Sequence, residues 1–268
     1  MSARRGYLSQ VSPDPEPKPA AIVLRSEREI ALLREAGRVV ARVLDELGRL
    51  AEAGRTTREL DELARRLIRE AGGVPTFKGY MGYPASMCVS INDEVVHGIP
   101  GDRRLQPGDV VSCDVGATLE GYVGDGARTF LLPPASPTAT RLLKVTQAAL
   151  EAGIAAAVPG ARVGDISYAV QTVVEAAGFS VVRKYCGHGV GTTMHEEPAV
   201  PNFGPAGHGP RLRAGMVLAI EPMVNAGGPD VVVGQDGWVV RTRDGSPSAH
   251  CEHTVAIGAE GPLILTLP

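Results

Sequence analysis

The feature that most constrains this chain is an internal repeat. "GRTTRELDELARRLIREAGG" (54–73) aligns with "GARVGDISYAVQTVVEAAGF" (160–179) at an offset of 106. Leu60, Leu63, Ala64, Leu67 and Ile68 fall on Ile166, Ala169, Val170, Val173 and Val174, and Ala71-Gly72 falls on Ala177-Gly178. Both segments carry the apolar spacing of a helix that buries one face and stops at glycine. Helical period alone accounts for part of the match. A true duplication predicts two α-α-β halves facing each other, with a site between them.

The rest of the chain fits that plan. "SEREIALLREAGRVVARVLDELGRLAEAG" opens at Ser26 with the capping-box pattern, Ser26 followed by Glu29. Ile30, Leu33, Ala36, Val40, Val43, Leu44 and Leu47 keep helical spacing. A second helix is expected after Gly54, capped by Thr57 and stopped by Gly72-Gly73. Two more are expected at about 137–157 and 165–177. Strand-like segments take over from Met87: "MCVSIN", "DVVSCDVGATLEGYVGDGARTFLL", "GMVLAIEPMV", "WVVRTRD" and "HCEHTVAIG". The expectation is one α+β domain over 26–268. Before it, residues 1–25 should be a flexible extension, because "SPDPEPKPA" (12–20) is Pro-rich and acidic.

Bulk properties exclude several functions. A formal net charge of −3 offers no general electrostatic reason to bind nucleic acid or an acidic membrane. No apolar run is long enough to cross a bilayer, and no apolar stretch follows the basic residues of "MSARRGYLSQ" to make a signal peptide. Cys88, Cys113, Cys186 and Cys251 are isolated and read as reduced thiols of a cytoplasmic protein.

Chemistry concentrates in the second two-thirds of the chain, where all six histidines lie. Asp114 and Asp125 belong to a hairpin that turns near Leu119-Glu120-Gly121. With Leu119-Glu120 as the loop, Asp114 opposes Asp125; with Glu120-Gly121, Asp125 opposes Gly116. Either register puts both carboxylates on one face, roughly 5–8 Å apart at Cβ. Like charges so placed are destabilising, and a cation between them removes the conflict. Glu221 lies in the apolar "VLAIEPMV", where an unpaired carboxylate is too costly to bury. Glu252 in "AHCEHTVAI" makes the same argument more weakly, since polar neighbours allow an exposed face. Four carboxylates and one imidazole suit two divalent cations sharing bridging oxygens better than one structural zinc.

His188 and His195, in "KYCGHGVGTTMHEEP", pose a puzzle. Their spacing of seven would suit a helix, but the intervening glycines and β-branched residues disfavour one. On a regular strand an odd spacing puts the rings on opposite faces. If Gly191-Thr192-Thr193 redirects the chain, both can reach one site, in different roles.

Taken together, "INDEVVHGIP", "GDVVSCDVG", "GYVGDGARTF", "GHGVGTTMHEEP", "EPMVNAG", "DGW" and "EHT", in this order from Ser26 onward, resemble the type I methionine aminopeptidases. The resemblance implies the pita-bread fold: pseudo-twofold α-α-β repeats whose curved, mainly antiparallel sheet is covered by helices. It implies metal ligands at Asp114, Asp125, His188, Glu221 and Glu252, with Asp125 and Glu252 bridging two ions (Co, Mn, Fe or Zn). It implies catalytic histidines at His97 and His195, with Glu221 also shuttling protons. Substrate contacts would also fall on His97, His195, Tyr80, Tyr83, Cys88 and Trp238. The implied reaction removes the initiator methionine from nascent chains with a small second residue. The implied partner is the nascent N-terminus, with the ribosome a candidate, no membrane, no sequence-specific nucleic acid, and a monomeric enzyme.

Five positions depart from the family's habit. Met194 stands where Phe is usual, Phe77 where a smaller residue is common, Gly116 where Thr is frequent, and His250-Cys251 where Gln-Tyr is frequent. None is an implied ligand. His208, His250 and His253 are expected at the surface or behind the ligands. Competing readings are an Xaa-Pro aminopeptidase or prolidase of the same fold, which would carry an extra N-terminal domain, and a non-catalytic ribosome-associated binding protein, which would have lost ligands.

Overall fold

The computed structural model describes residues 21–268. Residues 1–20, most of the expected flexible extension, lie outside the described residues. Among the described residues there are four α-helices: α1 (Glu27–Leu50), α2 (Thr57–Glu70), α3 (Pro137–Ala156) and α4 (Val163–Ala176). The repeat holds in the structure. Both ends of α4 sit 106 residues beyond those of α2, and α1 and α3 end with the same offset. The short strands Val74–Pro75 and Ser180–Val181 obey it too.

The helix starts follow local chemistry. Ser26 caps α1 through the expected box, with Glu29 reaching back to the Ser26 N–H at 2.8 Å. The cap of α2 is Thr56 and not Thr57. The Thr56 hydroxyl accepts from the Glu59 N–H at 3.3 Å, and Glu59 accepts from the Thr56 N–H at 2.7 Å. Glu59 lies three residues after Thr56, which is the box spacing. The Thr57 hydroxyl is already inside the helix and donates to the Gly101 carbonyl at 3.0 Å.

A nine-stranded sheet forms the centre, and every strand pairing among the described residues is antiparallel. Its spine runs Val110–Leu119, Tyr122–Leu131, Glu252–Ile257, Val217–Ile220 and Gly187–Gly189 as lateral neighbours. The hairpin turns on Glu120-Gly121, both at positive φ (50° and 83°), and pairs Gly116 with Asp125 and Asp114 with Ala127. That is the second of the two registers left open above, and positive φ at both loop positions is the geometry that matches strand twist.

Strand alternation then sorts the side chains. Val111, Cys113, Val115 and Ala117 pack with Val40, Leu44, Leu47, Leu60 and Ile68 into one core under α1 and α2. Leu218, Ile220, Val255 and Ile257 join Leu150, Ile154 and Ile166 in a second core under α3 and α4. Each fully buried Leu or Ile contributes about 1.5–3 kcal/mol. The opposite face of the same strands is therefore left to Asp114, Gly116, Asp125, Glu252 and Ala219. Contacts to this body begin before α1: Ile22 packs on the second core, and the Arg25 N–H donates to the Gly215 carbonyl at 2.7 Å.

Candidate metal centre

Five neighbouring strands deliver one acidic or imidazole group each to the concave face. Asp114 and Asp125 come from the hairpin, and Glu252 begins the next strand, opposite Ala127. Glu221 directly follows Val217–Ile220, and His188 stands opposite Ala219. Glu221 leaves its ladder because Pro222 has no N–H to continue it. Asn202 holds the turn, its amide donating to the Glu221 carbonyl at 3.0 Å.

The groups converge. One ligand atom each from Asp125, His188 and Glu252 all lie within 4.8 Å of one another. His188 Nε2 is 3.6 Å from both Asp125 Oδ2 and Glu221 Oε1. Asp125 and Glu252 are each 2% exposed. Glu252 thus takes the buried face and not the exposed one that its polar neighbours allowed.

Among the described residues no Lys or Arg forms an ion pair with any of the four carboxylates. Asp114 Oδ1, Asp125 Oδ1 and Glu252 Oε1 are buried with no hydrogen-bond partner. Burial, with mutual repulsion added, pushes Asp114, Glu221 and Glu252 well above the usual carboxylate range. Burial raises Asp125 to about 7. His188 is driven down to about 4 by burial, so it is neutral, the form that binds metal. An uncompensated buried charge costs several kcal/mol even after relaxation. Hard oxygen donors, one imidazole and orphaned carboxylate oxygens fit divalent ions.

All eleven expected site residues line a single cavity of about 280 Å³. His195 reaches it because the chain leaves its strand at Val190 and turns through residues 191–195 before the strand Glu196–Val200. Its ring centroid is 4.2 Å from that of His188, which resolves the parity problem. Tyr80 Oη lies 2.7 Å from His195 Nδ1. His97 sits at φ 62°, with its ring edge-on to Tyr185 at 5.6 Å. Burial, then the neighbouring His195, lowers His97 to about 4; burial also lowers His195.

The walls are apolar. Tyr83 and Trp238 meet edge-to-face at 5.0 Å, and Tyr83 donates to the carbonyls of Gly98 (2.9 Å) and Met87 (3.1 Å). Phe77 and Met194, both departures from family habit, line the cavity, and so does Met81, which the sequence reading missed. Met81 has φ 50° between two glycines at positive φ, and only that turn brings it to the mouth. Phe77 and Gly116 prove to be coupled: a Cβ on residue 116 would lie 2.5 Å from Phe77 Cε1 and 3.1 Å from Thr76 Cβ.

The three remaining histidines separate. His208 is exposed. His253 faces the helix side and pairs with Thr266 at 2.8 Å. His250 is not at the surface; it is 2% exposed, and Nε2 lies 3.7 Å from Glu221 Oε2 and 3.9 Å from Glu252 Oε2.

Comparison with known proteins agrees with this geometry. The model of metallopeptidase family M24 matches residues 31–259. The chain belongs to metallopeptidase family M24. It is 51% identical over 245 residues to methionine aminopeptidase 1 of Bacillus subtilis, covering 91% of this chain and 99% of that one. A crystal structure of the Thermotoga maritima methionine aminopeptidase superposes with a TM-score of 0.91 at 43% identity, covering 92% of this chain and all of that one. The Pyrococcus furiosus prolidase shares the fold, with a TM-score of 0.73 at 20% identity, and this chain covers 66% of it. This M24 chain therefore stands with the methionine aminopeptidases, metal-dependent hydrolases of the pita-bread fold, as the resemblance implied.

Proposed function

We propose that this chain removes the initiator methionine from nascent polypeptides whose second residue is small. Two divalent ions would be held by Asp114, Asp125, His188, Glu221 and Glu252. The observation that carries the reading is one ligand-type side chain on, or directly after, each of five adjacent strands, with buried unpartnered carboxylate oxygens, at the floor of an apolar-walled cavity. When bound, such ions supply Lewis acidity and a source of hydroxide near neutral pH.

The chain's own residues supply the rest. Glu221 takes the proton of the attacking water and returns it to the leaving amine, a task that suits a carboxyl raised by burial. His195, kept neutral by burial, accepts a hydrogen bond from the Tyr80 hydroxyl at Nδ1 and presents Nε2–H to the scissile carbonyl, where negative charge develops. His97, also neutral, contacts the substrate backbone beside that bond. Tyr83, Cys88, Trp238, Phe77 and Met194 surround the methionine thioether, which packs well against aromatic rings. The site is expected to act on free N-termini in the cytoplasm as a monomer, and no helix among the described residues is long and apolar enough to cross a membrane.

The test is to load the purified protein with a divalent metal and incubate it, with and without chelator, with Met-Ala-Ser and with Xaa-Pro peptides. Release of Met only in the absence of chelator is the expected result. Cleavage of Xaa-Pro alone, or of nothing with any divalent metal, would overturn the reading.

A further inference from the structure

The "HEEP" word contains a residue that the reaction does not use. Glu196 follows His195, and its carboxylate closes the loop that carries that histidine: Oε1 accepts the N–H groups of Thr192 at 2.9 Å and Thr193 at 3.2 Å. On its other side Arg25 Nη2 donates to both carboxylate oxygens, each at 2.6 Å. The Arg25 side chain is 7% exposed and that of Glu196 13%.

Arg25 is itself held from two further directions. Its N–H donates to the Gly215 carbonyl at 2.7 Å, and Nη1 lies 3.5 Å from Glu29 Oε1. Glu29 is the residue that closes the capping box on α1. The guanidinium therefore joins the start of α1, in the first half, to the His195 loop, in the second. Gly191 leaves room for it: a Cβ there would overlap Arg25 Nη2 and lie 2.7 Å from Glu196 Oε1. A buried ion pair adds little net stability, since desolvation offsets its attraction, but its charge-assisted bonds fix geometry.

We infer that Arg25 and Glu196 are positioning residues for His195, so that the segment just ahead of α1 forms part of the active-site framework. The inference rests on the reading of His195 as the donor to the scissile carbonyl. Arg25 touches no substrate and acts through the loop. Tyr80 sets the His195 ring from one side, and the Glu196–Arg25 pair sets its backbone from the other. Without the pair, the 191–195 loop keeps its sequence, its ring and the Val123 N–H bond to the Gly191 carbonyl at 2.8 Å, but loses the charge-assisted hold on Glu196.

The experiment compares Arg25→Ala, Arg25→Lys and Gly191→Ala with wild type and His195→Ala, in metal-loaded enzyme on Met-Ala-Ser. It reads kcat, KM and metal Kd by calorimetry. Gly191→Ala is informative because it displaces a flexible side-chain tip and not backbone. Arg25→Ala and Gly191→Ala should each lower kcat about 10-fold, a loss typical of a slightly misplaced catalytic group, with KM and metal Kd within about twofold. Arg25→Lys should recover part of the loss. In a His195→Ala background, Arg25→Ala should have no further effect on kcat. Wild-type kcat in both single variants, an equal loss in both backgrounds, or a metal Kd that weakens in step with kcat would overturn the inference. Should Arg25→Ala fail to fold, Arg25→Lys and Gly191→Ala carry the same comparisons. Wild-type kcat in His195→Ala would instead sink the reading of His195, so the two failures are read in different variants.

Discussion

The two halves share a plan and use it differently. In the first half Val110–Leu119 runs unbroken beside Tyr122–Leu131, and alternation alone puts Asp114 and Asp125 on one face. The equivalent stretch of the second half, 106 residues on, is split by Glu221-Pro222 into Val217–Ile220 and Met223–Asn225, which pair in different sheets. The first half is a rigid floor of two carboxylates. The second brings an imidazole, the strand-borne carboxylate of Glu252, a carboxylate at a break, and a loop-borne histidine. The difference teaches how a duplicated frame builds an asymmetric site: ladder hydrogen bonds hold fixed charges, and breaks in the ladder release groups that must reach substrate.

The comparison breaks most visibly at the floor. Asp114→Asn or Asp125→Asn should lower kcat/KM at least about 10³-fold, roughly 4 kcal/mol, with the hairpin intact by circular dichroism. Glu221→Gln should do the same from the second half. Full activity in any of the three would remove that residue from the site.

The division of labour within the second half comes next. His188→Ala should lose metal affinity, whereas His195→Ala should keep its metal and lose about 10²–10³ in kcat, the scale of one missing oxyanion donor. Equal loss of metal from both, measured by calorimetry, would erase the distinction.

Proton linkage offers a third test. The raised carboxylates mean that the folded metal-free chain binds more protons than the unfolded chain, so its stability falls as pH rises from about 4, the ordinary carboxylate value, to about 7, that of Asp125. Metal must displace those protons, so its affinity should rise with pH over the same window. Calorimetry in buffers of different ionisation enthalpy should show proton release. An affinity independent of pH would mean that the carboxylates are already ionised.

Smaller effects probe the first half alone and then the repeat. Gly116→Thr should push Phe77 out of its place, cost about 1–3 kcal/mol as an overpacked site, and change KM for Met peptides more than kcat. A simultaneous Phe77→Ala should relieve the clash; an additive double mutant would mean that the two are not coupled. Thr56→Ala should cost about 1 kcal/mol, because its hydroxyl caps α2. Arg162, its counterpart on α4, caps through its backbone N–H to Asp165, so Arg162→Ala should cost far less. Equal shifts in thermal melting would contradict that asymmetry.

Much of the fold was legible because repeat, capping and alternation are local. The helical patterns of α2 and α4, the Ser26 box and the shared face of Asp114 and Asp125 each depend only on residues close in sequence. The α2 cap was misplaced by one residue because Thr56 and Thr57 are both good caps, and only the reach of Glu59 decides between them. Met81 gave no signal because its place depends on a positive-φ turn between glycines.

By itself the sequence determined the α+β class and pointed to the duplicated halves and the four carboxylates, because periodicity and the cost of burying charge can be read residue by residue; the roles of His97, His188 and His195 came from the family resemblance. Tertiary structure alone decided the hairpin register, the meeting of the His188 and His195 rings, the packing of Phe77 over Gly116 and the joining of Arg25 to Glu196. Those pairs lie 7, 39 and 171 residues apart for the rings, the Phe–Gly contact and the ion pair. No local pattern encodes such contacts: the first two need a chain reversal within one half to bring the residues together, and the Arg25–Glu196 pair joins the two halves.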